Sequence, residues 1–224
     1  NGVSCLLMGG QACVVYGAAE FSRDIDLALA CDPSNLTRLR AALEDLQADC
    51  IAVPPLEARF LEAGHAVHFR CKHPEATNLR VDVMSRMRGV DDFGALWERR
   101  TTLEHIDIMS LPDLVKAKKT QRDKDWPMVS RLVEASFFRH RNDPSPEQLD
   151  FWFKELRNPL LLLELGQRFP ARLQNLLALR PLLRLVEPDE RQAALLEEER
   201  GEREADRIYW APLRAELERL RHGR

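Results

Sequence analysis

The sequence predicts an α+β fold: a small mixed β-sheet with flanking helices over residues 1–142, followed by an all-α domain over residues 143–224. Three observations predict it. Short apolar or alternating runs at Cys5 to Met8, Asp24 to Ala30, His65 to Cys71 and Leu79 to Ser85 read as strands bounded by turn residues. Between them "DPSNLTRLRAALEDLQA" carries Leu36, Leu39, Leu43 and Leu46 at helical spacing. From Ser145 onward the chain is leucine-rich and interrupted by Pro159, Pro170, Pro181 and Pro188, which predicts several short helices packed together.

Taken in order, Cys5 to Met8 forms a strand ending in Gly9-Gly10, and "QACVVYGA" forms a short helix stopped by Gly17. "DIDLALA" alternates, with Ile25, Leu27 and Leu29 on one face and Asp24, Asp26 and Ala28 on the other. "HAVHFRC" and "LRVDVMS" form two further strands joined by the turn-like "KHPEATN". In "SLPDLVKAKK", Ser110 as N-cap, Pro112 in the first turn and Asp113 three residues after the cap announce a helix, and "SPEQLDFWFKEL" repeats the logic with Ser145, Pro146 and Gln148. The terminal segment is dense in both signs of charge, with Glu199 and Arg203 at i,i+4, and reads as a solvated helix face.

Composition narrows the classes. At 45% hydrophobic and 31% charged residues the chain is an ordinary globular protein and not a disordered one. The net charge of -3 is unevenly spread: residues 111–142 carry 8 basic and 4 acidic side chains, so a polyanion would most readily meet the chain there. The five cysteines (Cys5, Cys13, Cys31, Cys50, Cys71) show no metal spacing and read as reduced thiols of a cytoplasmic protein. No apolar run approaches the ~18 residues of a membrane span, and the start lacks a signal-peptide pattern, so no membrane partner is expected. The six histidines show no metal-ligand spacing, and His65 and His68 read as strand-edge polar residues.

Three aspartates carry the chemistry. Side chains two apart on a strand point the same way ~6–7 Å apart, so Asp24 and Asp26 share a face. Their carboxylates repel by ~2–3 kcal/mol at an effective dielectric near 20, a cost that a divalent cation such as magnesium removes. Asp82 alternates in the same way in "LRVDVMS", and joins that face if its strand pairs beside Asp24 to Leu29. A salt bridge to Arg80, two residues earlier on the same face, is the structural alternative. Gly9 and Gly10 let backbone N–H groups approach an anion at a helix start, so phosphate beside carboxylate-bound metal points to phosphoryl or nucleotidyl transfer.

"GG", thirteen residues, "DID" and a later "VDV" resemble the signature of the nucleotidyltransferase superfamily that shares the DNA polymerase beta fold. "IDIMSLPDLVKAKKTQRDKDW" resembles the strand, helix and "K…R-x-K-D" segment of the group containing abortive-infection-type toxins and many uncharacterised bacterial homologues. The resemblance covers about Leu6 to Leu132. It implies a nucleotidyltransferase domain over 1–142 that transfers a nucleoside monophosphate from a nucleoside triphosphate to a hydroxyl of RNA (tRNA included), protein or a small molecule, releasing pyrophosphate. It assigns Asp24, Asp26 and Asp82 to magnesium or manganese and catalysis, Gly9 and Gly10 to phosphate cradling, and Lys118 to the nucleotide phosphates. Ser22 is kept from the family pattern, whereas Glu20 stands where many members have an arginine. At i, i+4 and i+7, Lys118, Arg122 and Asp125 share a stripe if they lie on one continuous helix, where both cations would address a triphosphate. Asp125 before "WP" reads equally as the N-cap of a new helix. A toxin role rests on the subfamily resemblance, and a catalytically silent protein of this fold that binds a nucleotide or a partner is the alternative class.

Overall fold

The computed structural model describes residues 1–223, and the chain is α+β, with a mixed sheet and a helical C-terminal stretch. The residues group into two compact units, one made of residues 1–117 with the stretch from Ile208 onward, the other of Lys118–Arg207.

Seven strands build the first unit: β1 (Cys5–Met8), β2 (Asp24–Leu29), β3 (Asp49–Cys50), β4 (Val67–Arg70), β5 (Arg80–Met84), β6 (Thr101–Leu103) and β7 (Ile106–Ile108). Their order across the sheet is β3-β4-β5-β2-β1-β7-β6. The β1–β7 and β2–β5 pairs are parallel, and the others are antiparallel. With them run the helices α1 (Gly9–Val15), α2 (Pro33–Asp45), α3 (Ala58–Ala63), α4 (Phe93–Glu98) and α5 (Leu111–Lys118).

Strand alternation decides which side of the sheet is dry. Leu29, Val67, Phe69, Val81 and Val83 form one core cluster with Leu36, Leu39 and Leu43 of α2 and Leu61 of α3. Asp32 caps α2 by accepting from the Asn35 N–H. Buried Asn35 donates to the carbonyls of Ser4 and Ala30 and accepts from the Ser4 N–H, tying the start of β1 to the end of β2.

His65 corrects the sequence reading. It is not a strand-edge polar residue but a fully buried one, its Nε2 2.7 Å from Glu216 Oε2. Glu216 lies in α10 (Pro188–His222), as does Tyr209, whose hydroxyl stands 2.6 Å from where a Cβ on Gly64 would be. The stretch beyond Ile208 thus packs on the turn before β4. Within α10, Pro212 has no N–H to offer the Ile208 carbonyl.

The second unit holds α6 (Trp126–His140), α7 (Pro146–Glu155), α8 (Pro159–Arg168), α9 (Pro170–Leu176) and α10 up to Arg207. Proline opens four of the five and stands in the first turn of α6, where its missing N–H costs nothing. The capping box at Ser145 is formed, with Gln148 reaching back to the Ser145 N–H. The boundary expected after Asn142 falls inside this unit, because Phe137 of α6 packs edge-on against Trp152 of α7 at 5.2 Å and Ser136 Oγ accepts from Trp152 Nε1. Buried Arg180 donates to Glu198 and to the carbonyls of Phe153 and Leu156. Among the described residues no helix is long and apolar enough to cross a membrane.

Candidate functional site

The three aspartates meet through strand register. In the β2–β5 pair Asp24 stands beside Arg80 and Asp26 beside Asp82, and in the β4–β5 pair His68 stands beside Asp82. Directly opposed residues share a face at a strand spacing of about 4.8 Å, so Asp24, Asp26, Asp82, Arg80 and His68 occupy one side of the sheet.

Gly9 and Gly10 fit this face by lacking side chains. Gly9, at φ +63°, would direct a Cβ to 1.9 Å from Asp26 Oδ2, and a Cβ on Gly10 would lie 2.3 Å from Ser22 Oγ. The Gly10 N–H, at the start of α1, donates to Asp26 Oδ2 at 3.3 Å. The loop before β2 is held by Gln11 Nε2, which donates to the Ser22 carbonyl at 2.8 Å, and Ser22 Oγ donates to the Asp24 carbonyl. The helix start expected to cradle phosphate therefore meets a carboxylate of this chain.

Asp82 makes the salt bridge weighed as its structural alternative, and His68 approaches the same oxygen. Arg80 Nε donates to Asp82 Oδ1 at 2.9 Å, His68 Nδ1 lies 2.8 Å from the same oxygen, and Arg80 Nη2 is 3.2 Å from His68 Nδ1. Burial alone would push the Asp82 carboxyl up. The hydrogen bonds from His68 and Arg80, with their charges, outweigh it and hold the carboxyl below the usual range. His68 was missed as a member of this cluster because its partner is fixed by sheet order, which local patterning does not carry.

No family model and no curated protein matches the chain.

Three carboxylates on one face are hard oxygen donors of the kind magnesium or manganese takes. Asp24 and Asp26 suit such an ion, and Asp82 does so once its oxygen is released from Arg80 and His68. Among the described residues no group of three or more His, Cys, Asp or Glu is arranged to hold a metal.

Lys118 and Arg122 belong to the second unit and gather around Asp125, but not as a helical stripe. Helix α5 ends at Lys118, and a turn through Thr120 followed by a short 3-10 segment at Asp123–Asp125 leads into α6. Lys118 Nζ lies 3.7 Å from Asp125 Oδ1, and Arg122 Nε and Thr120 Oγ1 donate to Oδ2. Asp125 stands at the N-cap position of α6 without capping it, since its buried carboxylate serves these three side chains.

Acid dependence follows in part from the two most buried of the depressed carboxyls, Asp82 and Asp113, each of which burial pushes up and paired groups pull down further. A carboxyl held below its unfolded value stabilises the fold above that value and loses the contribution as pH falls through the folded pKa. Thermal melts should therefore lose stability below about pH 4, the unfolded aspartate range, and Asp82→Asn should flatten that slope. An unchanged slope in Asp82→Asn would show that its pairs add nothing to stability.

Proposed function

We propose that the chain is a metal-dependent nucleotidyltransferase, with a polymerase-beta-like domain around the β1–α1–β2 and β5 segments, that moves a nucleoside monophosphate from a nucleoside triphosphate to a hydroxyl acceptor. The observation carrying this reading is the β2–β5 register, which sets Asp26 beside Asp82 with Asp24 on the same face. Close approach of Asp26 and Ser22 to Gly9 and Gly10 supports it. In the reaction the acceptor hydroxyl oxygen bonds to the α-phosphorus, the bond to the β-phosphate oxygen breaks, and pyrophosphate leaves. Asp24 and Asp26 would hold the cation, and Asp82 would complete the ligand set and accept the hydroxyl proton. Bound magnesium or manganese supplies charge stabilisation at the phosphates and activation of the hydroxyl. The basic 111–142 segment suits a triphosphate or an RNA acceptor equally.

One observation favours a second reading, a silent protein of the same fold that binds a nucleotide or a partner: Asp82 is already satisfied by Arg80 and His68. Transfer of label from each α-labelled nucleoside triphosphate, with magnesium or manganese, into RNA, protein and small-molecule fractions separates the two. Transfer that is lost in the Asp24→Ala, Asp26→Ala double variant is the expected result. Absence of any aspartate-dependent transfer, together with nucleotide-induced thermal stabilisation that survives Asp26→Ala, would leave the silent binder.

A further inference from the structure

Arg80 is a cation built into a carboxylate face. It stands in register beside Asp24 and two residues before Asp82, so its side chain rises on the same side of the sheet as all three aspartates. Its Nε donates to Asp82 Oδ1, its Nη2 reaches His68, and 38% of its side chain remains exposed. One guanidinium thus shares a face with each carboxylate assigned to metal and is bonded to one of them. A guanidinium is planar and presents donors that suit carboxylate and phosphate oxygens alike.

We propose that Arg80 is the resident counter-ion of this face, bound to Asp82 while no metal is present and transferred to the phosphates when a metal–triphosphate enters. The inference rests on the nucleotidyltransferase reading above. A bare cation and Arg80 compete for the same negative charge, so Arg80 weakens binding of metal alone. A metal–triphosphate brings its own anions, gives the displaced guanidinium a partner, and is strengthened by it.

The two effects have opposite signs, and that opposition is the test. On the full chain, manganese binding is measured by water-proton relaxation, and binding of inorganic tripolyphosphate with magnesium by calorimetry. Arg80→Met is the main variant, Arg80→Gln is a second in case the first does not fold, and the Asp24→Ala, Asp26→Ala chain sets the background. The expected result is manganese binding about tenfold tighter and magnesium–tripolyphosphate binding about tenfold weaker in the Arg80 variants, the scale of one charge removed at a partly exposed site. If both ligands bind the unaltered chain in an aspartate-dependent way but the Arg80 variants shift them together, or shift only one, the counter-ion role falls and the nucleotidyltransferase reading stands. If neither ligand binds in an aspartate-dependent way, with or without Arg80, both fall.

Discussion

Gly9→Ala is expected to cost roughly 2–5 kcal/mol of stability, combining left-handed backbone strain with overpacking, and to abolish any activity that depends on Asp26. The added methyl meets the near end of the Asp26 side chain as well as its tip: Oδ2 at 1.9 Å, Cγ at 2.4 Å and Cβ at 2.5 Å. No rotation of the carboxylate removes a contact with Cβ, so either β2 shifts or Gly9 leaves its φ of +63°. Both moves break the Gly10 N–H bond to Asp26 and disturb the pairing of Asp26 with Asp82. Gly201, inside α10 with open space for 4 Å around the point where a Cβ would stand, is the control. There the same substitution should stabilise by roughly 0.5–1 kcal/mol, because alanine has less backbone freedom to lose in a helix. Denaturant titrations of the two variants check the contrast, and equal, small changes would mean that Asp26 does not sit over Gly9.

What the sequence made legible follows how local each signal is. Alternation in "DIDLALA" and "LRVDVMS" located β2 and β5, and the same alternation set the aspartates opposite the leucine and valine core, since strand faces are decided within a few residues. Leucine spacing located α2, and serine caps with proline in the first turn located α5 and α7. Strands β3 and β6 gave no such signal: one has two residues, and all positions of both are exposed, so neither carries a buried face. The site divides in the same way. That Asp24 and Asp26 share a face was readable, whereas the partnership of His68 with Asp82 depends on β4 pairing antiparallel with β5. The spacing of Lys118, Arg122 and Asp125 misled because a helical stripe and a turn folding back on Thr120 bring the same residues together, and only the hydrogen bonds of Thr120 tell them apart.

Arg99→Met is expected to cost about 3 kcal/mol, near the lower end for breaking a buried ion pair because the Arg99 guanidinium is itself 43% exposed. Its partner Asp113 is 2% exposed and takes two bonds from Arg99, at 3.0 Å each, and a third from Ser110 Oγ at 2.7 Å. Arg99 also donates to Asp91 on the surface, so one guanidinium joins the segment before α4 to the first turn of α5. Without it, the Ser110 hydrogen bond and the Lys116 charge are left to oppose burial, the largest single influence, and the carboxyl is expected to rise. A carboxyl raised above its unfolded value is destabilising when ionised, so the penalty should shrink as pH falls and Asp113 takes a proton. The variant should therefore approach the unaltered chain in stability near pH 4 and fall furthest behind it near pH 7, an approximate window set by the unfolded aspartate value. Arg99→Met, Asp113→Leu, which removes both charges, should recover most of the loss, since replacing a buried pair by apolar groups of similar volume is often close to neutral. Thermal melts of the three chains across that pH range measure all of this. A penalty independent of pH, or a double variant as unstable as the single one, would mean that Arg99 acts through packing on its neighbours and not through the buried charge of Asp113.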